Sequence, residues 1–353
     1  MIYFKFREFL AALLILLIGF TAVFGTRYTR LYSEDSITTD GTVELLVYER
    51  IGFEELHTSL DSLNVDVDYE EFKWAANLLG WRSFRPGRYE INSAISYPEL
   101  LSNLARGIQD PGNVVVHSGI TPELLSERLA NQLQADSLSF LKLFTDSSVV
   151  ARELGLTGEE LFSRMLPNTY QMYWTSSPDA VVRRIYREFE QNVANELAQE
   201  IARSSFSLGE VITLASIVEW EAKDANEKAR ISGLYQNRIK RNMRLQADPT
   251  VLYALGERRR LLYEDYTYEH PYNTYMNAGL PPGPITNPDL RSIRAVLNPE
   301  EHDYLFMVAT PEGNHDFNET FDEHRESSEN WRRWIREQYR IKRQVEREEA
   351  INQ

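Results

Sequence analysis

Cysteine is absent from all 353 residues. Its absence excludes a disulfide framework, a cysteine nucleophile and thiolate-bound zinc or iron–sulfur centres. Basic residues are scarce as well: 38 Lys and Arg stand against 53 Asp and Glu, a formal charge of −15. Bulk nucleic-acid binding draws its affinity from cations that meet phosphates, so no nucleic-acid partner is expected. The six histidines (57, 117, 270, 302, 315 and 324) form no H-E-x-x-H and no helical pair, which removes the usual zinc-protease pattern. Long apolar runs are missing, with one exception. Hydrophobic residues still make up 42%, enough for packed cores, and the length suits two or three domains.

The exception is Phe9 to Thr26, 18 consecutive residues without a charge. At about 1.5 Å per residue that run can span a bilayer core. A cleaved signal peptide is the competing reading, but the run is long for one and Val23-Phe24-Gly25 is a poor cleavage site. An uncleaved single-span anchor is expected, with the rest of the chain outside the bilayer. Lys5 and Arg7 precede the run while Arg27 and Arg30 follow it, so charge barely sets orientation.

Beyond a polar linker, one pattern recurs at Val43–Leu60, Tyr89–Leu104 and Val114–Leu129: an apolar strand, a polar turn, a short amphipathic helix. These units suggest a modest α+β scaffold. Residues 137–200 read as mostly helical with a break at Leu166–Tyr170. From Ser207 to about His324, Gly, Pro, Asn and Tyr become dense, the texture of structured loops that carry a site. Glu326–Gln353 reads as one charged helix with a docking stripe.

Ser207-Leu208-Gly209-Glu210 has the spacing of a capping box, so a helix should start there and run to Ala222. Ile212, Ala215 and Glu219 lie at i, i+3 and i+7, which puts Glu219 on the edge of an apolar stripe. A carboxyl among aliphatic groups is harder to ionise, the condition a general acid needs near neutral pH. Glu221 is rotated about 200° away and is expected to be more exposed. A pairing of Glu219 with a nearby Arg, such as Arg230 or Arg238, fits the pattern equally well. Farther on, Gln246, Asp248, Tyr272, Asn273, Thr274 and Tyr275 supply amides and phenols suited to sugar rings. Pro281-Pro282-Gly283-Pro284 could fix a groove wall. Nine basic residues between Lys228 and Arg260 suggest an anionic ligand.

Taken in order, these motifs resemble the YceG-like, or MltG-type, endolytic murein transglycosylases: Ala215-Ser-Ile-Val-Glu219, Gly233-Leu-Tyr-Gln-Asn-Arg238, Met243-Arg-Leu-Gln-Ala-Asp-Pro-Thr250, Tyr272-Asn-Thr-Tyr275, Gly279-Leu-Pro-Pro-Gly-Pro284 and His315-Asp-Phe-Asn318. Pro167-Asn-Thr-Tyr170 and the anchor fit the same plan. The family commonly has Lys and Thr around the second Glu, where this chain has Trp220 and Ala222, and Asp where it has Asn168.

The resemblance implies an α+β protein with one N-terminal transmembrane helix, a small LysM-like module and a mixed α/β catalytic domain with long loops. The implied divisions are a cytoplasmic tail 1–8, an anchor 9–26, a linker 27–41, a LysM-like module 42–109, a catalytic domain 110–325 and a C-terminal helix 326–353. It implies cleavage of the β-1,4 bond between N-acetylmuramic acid and N-acetylglucosamine in nascent peptidoglycan, leaving 1,6-anhydro ends. Glu219 would be the catalytic acid. Glu221, Asn237, Arg238, Gln246, Asp248, Tyr272, Asn273, Thr274 and Tyr275 would hold substrate. No cofactor and no metal are implied. The implied partners are glycan strands and membrane-bound glycan synthases (penicillin-binding proteins), and the implied location is the bacterial inner membrane with the catalytic part periplasmic. Two other classes were weighed. A non-catalytic glycan-binding scaffold fits the α+β modules. A pyridoxal-phosphate lyase would need a Schiff-base Lys, and only Lys223, Lys228 and Lys240 lie near the motifs.

Overall fold

A computed structural model describes residues 6–32 and 36–351. Lys5 and most of the expected cytoplasmic tail lie outside the described residues. The chain divides into two compact units. The first runs to Val114 and adds Gln132–Gln134 and Gln171–Ser176; the second holds Val115–Asn131, Ala135–Tyr170 and everything from Ser177.

The N-terminal helix spans Phe6–Leu31, so it runs past the apolar stretch into what read as linker. Its 26 residues reach about 39 Å, more than the ~30 Å of a hydrocarbon core. Glu8–Leu31 is long and apolar enough to cross a bilayer. The hydroxyls of Thr21 and Thr26 donate to carbonyls four residues back, each at 2.9 Å. Polar groups so satisfied are tolerated in lipid. Past the apolar stretch, Arg30 pairs with Glu71 at 2.7 Å and lies 4.2 Å over the Trp74 ring, which joins the helix end to the first unit.

That unit is built from three short antiparallel strand pairs and three helices. Val43–Val47 pairs with Gly87–Ile91, with Leu45 opposite Tyr89. Ile51–Gly52 pairs with Ser83–Phe84, and Ile37–Thr38 with Asp66–Val67. The helices Phe53–Ser62, Tyr69–Leu79 and Tyr97–Arg106 close over them. Leu56, Leu60, Phe72, Phe84, Ile91, Leu101 and Leu104 are fully buried between the layers. Each such side chain contributes about 1.5–3 kcal/mol. Asp68 accepts the Glu71 N–H at 2.9 Å to start one helix, and Gly80, at φ 76°, ends it in the left-handed conformation that Gly adopts without strain.

In the second unit the third strand–helix repeat ends in helix Pro122–Ala130, capped by Thr121 as its spacing predicts. Short helices follow at Ser137–Leu141, Val149–Glu153, Gly158–Ser163 and Pro178–Phe189. The core forms around helix Leu208–Glu221, against helices Lys228–Lys240 and Leu290–Leu297. A hairpin of Phe306–Ala309 and His315–Asn318 comes next. Its turn needs Gly313 at φ 89°. The C-terminal helix spans Phe321–Ile351, starting five residues before the expected position.

Candidate active site

The helix that carries the two candidate acids starts at the predicted capping box. Ser207 Oγ accepts the Glu210 N–H, and Glu210 accepts the Ser207 N–H at 2.8 Å. Every residue from Val211 to Val218 is buried. Ser216 Oγ sits in this core, donating to Thr213 O at 2.7 Å and accepting Ile285 N–H at 2.9 Å.

Glu219 does not have the apolar surroundings that its spacing suggested. Its Oε2 accepts from Lys228 Nζ at 2.8 Å, Ser292 Oγ at 2.6 Å and the Asp289 N–H at 3.2 Å. Its side chain is 8% exposed and that of Lys228 is 7% exposed. Lys228 also bonds Asp289 Oδ1 at 2.9 Å, and Asp289 caps the Leu290–Leu297 helix through the Ser292 N–H at 2.7 Å. Burial alone would raise the Asp289 carboxyl, but the Ser292 N–H and Lys228 hold it below its ordinary range. Glu219 is thus held in an ion pair and hydrogen bonds that tie three helices together.

The carboxyl with the expected environment is Glu221, the last residue of the same helix. It lines a cavity of about 380 Å³ with Leu234, Tyr235, Arg238, Leu245, Gln246, Asp248, Tyr275, Met307, Ala309, His315 and His324. Glu221 is half-buried, not exposed as expected. Its carboxyl is pushed up to about 7, first by burial and then by the negative charge of Asp248; the Arg238 charge and a hydrogen bond from Tyr235 act against the rise. Glu219 and Glu221 are two positions apart, so they leave the helix about 200° apart and meet different neighbours.

Arg238 is 7% exposed and forms no ion pair among the described residues. It donates to Leu305 O and Leu245 O, both at 2.6 Å, and lies 5.5 Å over the Phe306 ring. It therefore clamps the 243–247 turn to the hairpin. Gln246 follows in that turn with φ 49°, a left-handed conformation that costs a non-Gly residue about 1–2 kcal/mol. Its side-chain amide has no hydrogen-bond partner among the described residues and lines the cavity. Asp248 stands at the solvent-exposed rim, where Tyr275 Oη donates to its Oδ1 at 2.6 Å. The protein around Asp248 raises its carboxyl against that hydrogen bond. Burial also raises the Tyr275 and Tyr235 phenols, so both stay protonated donors.

Of the residues expected to hold substrate, Glu221, Arg238, Gln246, Asp248 and Tyr275 meet at this cavity. Four others are not among the residues that line it. Asn237 donates to His302 O at 2.6 Å. Asn273 is fully buried, donates to Tyr268 O at 2.8 Å and accepts the Tyr275 N–H at 2.9 Å. Thr274 is buried, and its Oγ1 accepts the Ala247 N–H at 3.0 Å. Tyr272 packs on Tyr253, and both phenols donate to Glu159. Asn273 and Thr274 satisfy backbone groups of the loops that set Gln246 and Tyr275. Polar loop residues read alike in sequence whether they serve a loop or a ligand.

Tyr235, His315 and His324 went unassigned, although Tyr235 and His315 fall inside quoted motifs. The Pro281–Pro284 turn lines a different cavity, of about 230 Å³, with Arg164 and Thr213. Part of the basic stretch is paired within the fold: Arg230 with Glu300, Arg259 with Glu257 and Asp265, Lys228 as above.

A carboxyl raised to about 7 by burial, in a polar-walled cavity, has the environment that general-acid chemistry on an oxygen-rich ligand requires. The YceG-like family profile matches residues 45–330. A Bacillus subtilis protein named endolytic murein transglycosylase is 26% identical over 334 residues, covering 90% of this chain and 91% of that protein. A Streptococcus pneumoniae protein of the same name is 24% identical over 288 residues; the match takes in 72% of this chain but only 52% of that longer relative. The crystal structure of a yceG-like protein from Listeria monocytogenes superposes with a TM-score of 0.60 at 27% identity, over 82% of this chain and 99% of that one. The chain belongs to the YceG-like family.

Proposed function

We propose that the protein is a membrane-anchored endolytic murein transglycosylase whose proton donor is Glu221. It cuts the N-acetylmuramic acid–N-acetylglucosamine β-1,4 bond within glycan strands. Glu221 protonates the departing glycosidic oxygen. The C6 hydroxyl of the muramic acid attacks C1 and closes the 1,6-anhydro ring, and the Glu221 carboxylate takes its proton. Because the nucleophile belongs to the same sugar, ring closure gains from proximity. An acid with a pKa of about 7 is close to half protonated at neutral pH, and its conjugate base is strong enough for the second transfer. Gln246 offers its free amide to an acetamido group, and Asp248 with Tyr275 stands beside the developing positive charge.

The observation that carries this reading is the contrast between the two acids of one helix: Glu221 raised in the cavity, Glu219 locked to Lys228. The Phe6–Leu31 helix holds the protein in the inner membrane, with the catalytic unit in the periplasm beside penicillin-binding proteins that make the strands. The first unit is LysM-like in this reading. The test is digestion of purified sacculi by wild type, Glu219→Gln and Glu221→Gln, with muropeptides read by mass spectrometry. Anhydro ends from wild type, and none from Glu221→Gln, are expected. Reducing ends would mean that water attacks, making the enzyme a hydrolase with Asp248 as second carboxyl. Sacculus binding without any turnover would leave a glycan-binding scaffold.

A further inference from the structure

The hairpin wall of the cavity carries an imidazole fixed from behind. His315 donates its backbone N–H to Glu227 Oε1 at 2.9 Å, and its Nδ1 lies 2.9 Å from Glu227 Oε2. The two side chains are 11% and 8% exposed, so little water competes for either contact. Glu227 in turn ends a short turn set by Asp224, directly before the Lys228–Lys240 helix, and is as rigid as that helix. A carboxylate only accepts, so the proton of the neutral ring sits on Nδ1 and Nε2 keeps its lone pair. His315 lines the Glu221 cavity, and no described residue hydrogen-bonds Nε2. His324 lines the same cavity, its ring stacked on Phe306 at 5.1 Å. Its Nδ1 is shut off from water and has no partner among the described residues. A buried polar atom left without a partner costs about 1–3 kcal/mol, which a ligand group can relieve.

We infer that His315, its tautomer set by Glu227, accepts a hydrogen bond from a substrate sugar hydroxyl through Nε2. Sugar hydroxyls are the donors that such a wall would meet. Glu227 is then a positioning residue, acting through the ring it orients. This inference rests on the proposal that the Glu221 cavity holds glycan. It adds residues that orient the sugar against the acid.

The experiment uses the full chain in detergent with peptide-free glycan strands. His315→Phe keeps an aromatic ring and removes both nitrogens. His315→Gln returns a hydrogen-bonding group near the position of Nε2. For His315→Phe, KM should rise about tenfold, the size of one lost hydrogen bond of ~1.4 kcal/mol, with a smaller change in kcat. His315→Gln should recover to within about threefold of wild type. Glu227→Gln, whose amide can turn an N–H toward Nδ1 and push the ring proton to Nε2, should lose affinity like His315→Phe. An unchanged KM for His315→Phe, or a Gln variant as weak as the Phe variant, overturns the inference. Should His315→Phe not fold, the contrast between His315→Gln and Glu227→Gln decides: equal, wild-type KM values overturn it. Repeating the set in a Glu221→Gln background, with strand Kd as the readout, separates the two proposals. Turnover by Glu221→Gln would remove the acid assignment, while the Kd values would still report on His315.

Discussion

Replacing Glu221 with Gln should abolish turnover and at the same time stabilise the fold, and the second effect has a sign and a size. The carboxyl is raised from 4.5 to about 7 in the folded protein. Below pH 4.5 both folded and unfolded chains hold the proton. Between 4.5 and about 7 the unfolded chain releases it while the folded chain keeps it, so stability falls as pH rises. Above about 7 the loss is complete. A shift of this size is worth about 3 kcal/mol, an upper figure because Glu221 keeps partial solvent contact. Gln has nearly the same shape and no charge to desolvate. Glu221→Gln should therefore match wild type near pH 4.5 and exceed it by up to about 3 kcal/mol at pH 8. In a domain of about 230 residues that corresponds to about 6–12 °C in Tm. The assay is thermal unfolding of both proteins from pH 4.5 to 8.5, followed by a probe of the second unit. Parallel curves with no growing gap would refute the burial argument, and with it the reason for choosing Glu221.

Glu219→Gln should do the reverse. It removes the charge of the buried one of the two carboxylates that partner Lys228, so stability should drop by about 2–4 kcal/mol while anhydro-end formation persists at low temperature; a stable, inactive Glu219→Gln protein would return the acid role to Glu219. Wild-type kcat/KM should fall on the alkaline side with a midpoint near 7, because the donor must be protonated. Asp248→Asn removes a neighbouring negative charge, which makes Glu221 easier to ionise and should move that alkaline limb to lower pH; a limb that stays put would show that the Asp248 charge does not reach Glu221. Deleting residues 1–26 retains Arg30 and its contacts with Glu71 and Trp74, so the product should remain folded and active without detergent. Circular dichroism and muropeptide release check this, and loss of either would show that the apolar helix does more than anchor.

The helix that bears the acids was legible because local signals agreed: a Ser-x-x-Glu box, an apolar run and a Gly- and Pro-rich sequel. Which acid does the chemistry was not. The i, i+3, i+7 spacing marks one buried edge only on an amphipathic helix with one wet side, whereas Val211–Val218 are buried all round. With no wet side, the fate of each carboxyl depends on the neighbouring helix. Lys228 and Ser292 meet Glu219, while Tyr235 and Arg238 stand on the side of Glu221. The same limit applies to the amides. Asn237 and Asn273 carry the chemistry that sugars require, but backbone carbonyls require it as well.

The linear chain by itself determined the apolar N-terminal run, the absence of thiol chemistry, the strand–helix repeats and the capped helix on which an acid would sit, since each follows from neighbours within a few residues. Contacts across long sequence distances decided the rest. Glu227 reaches His315 across 88 positions, and Glu219 meets Ser292 across 73. Only folding lowers the local dielectric around one carboxyl and brings an ammonium to the other, and so gives two chemically identical side chains different surroundings.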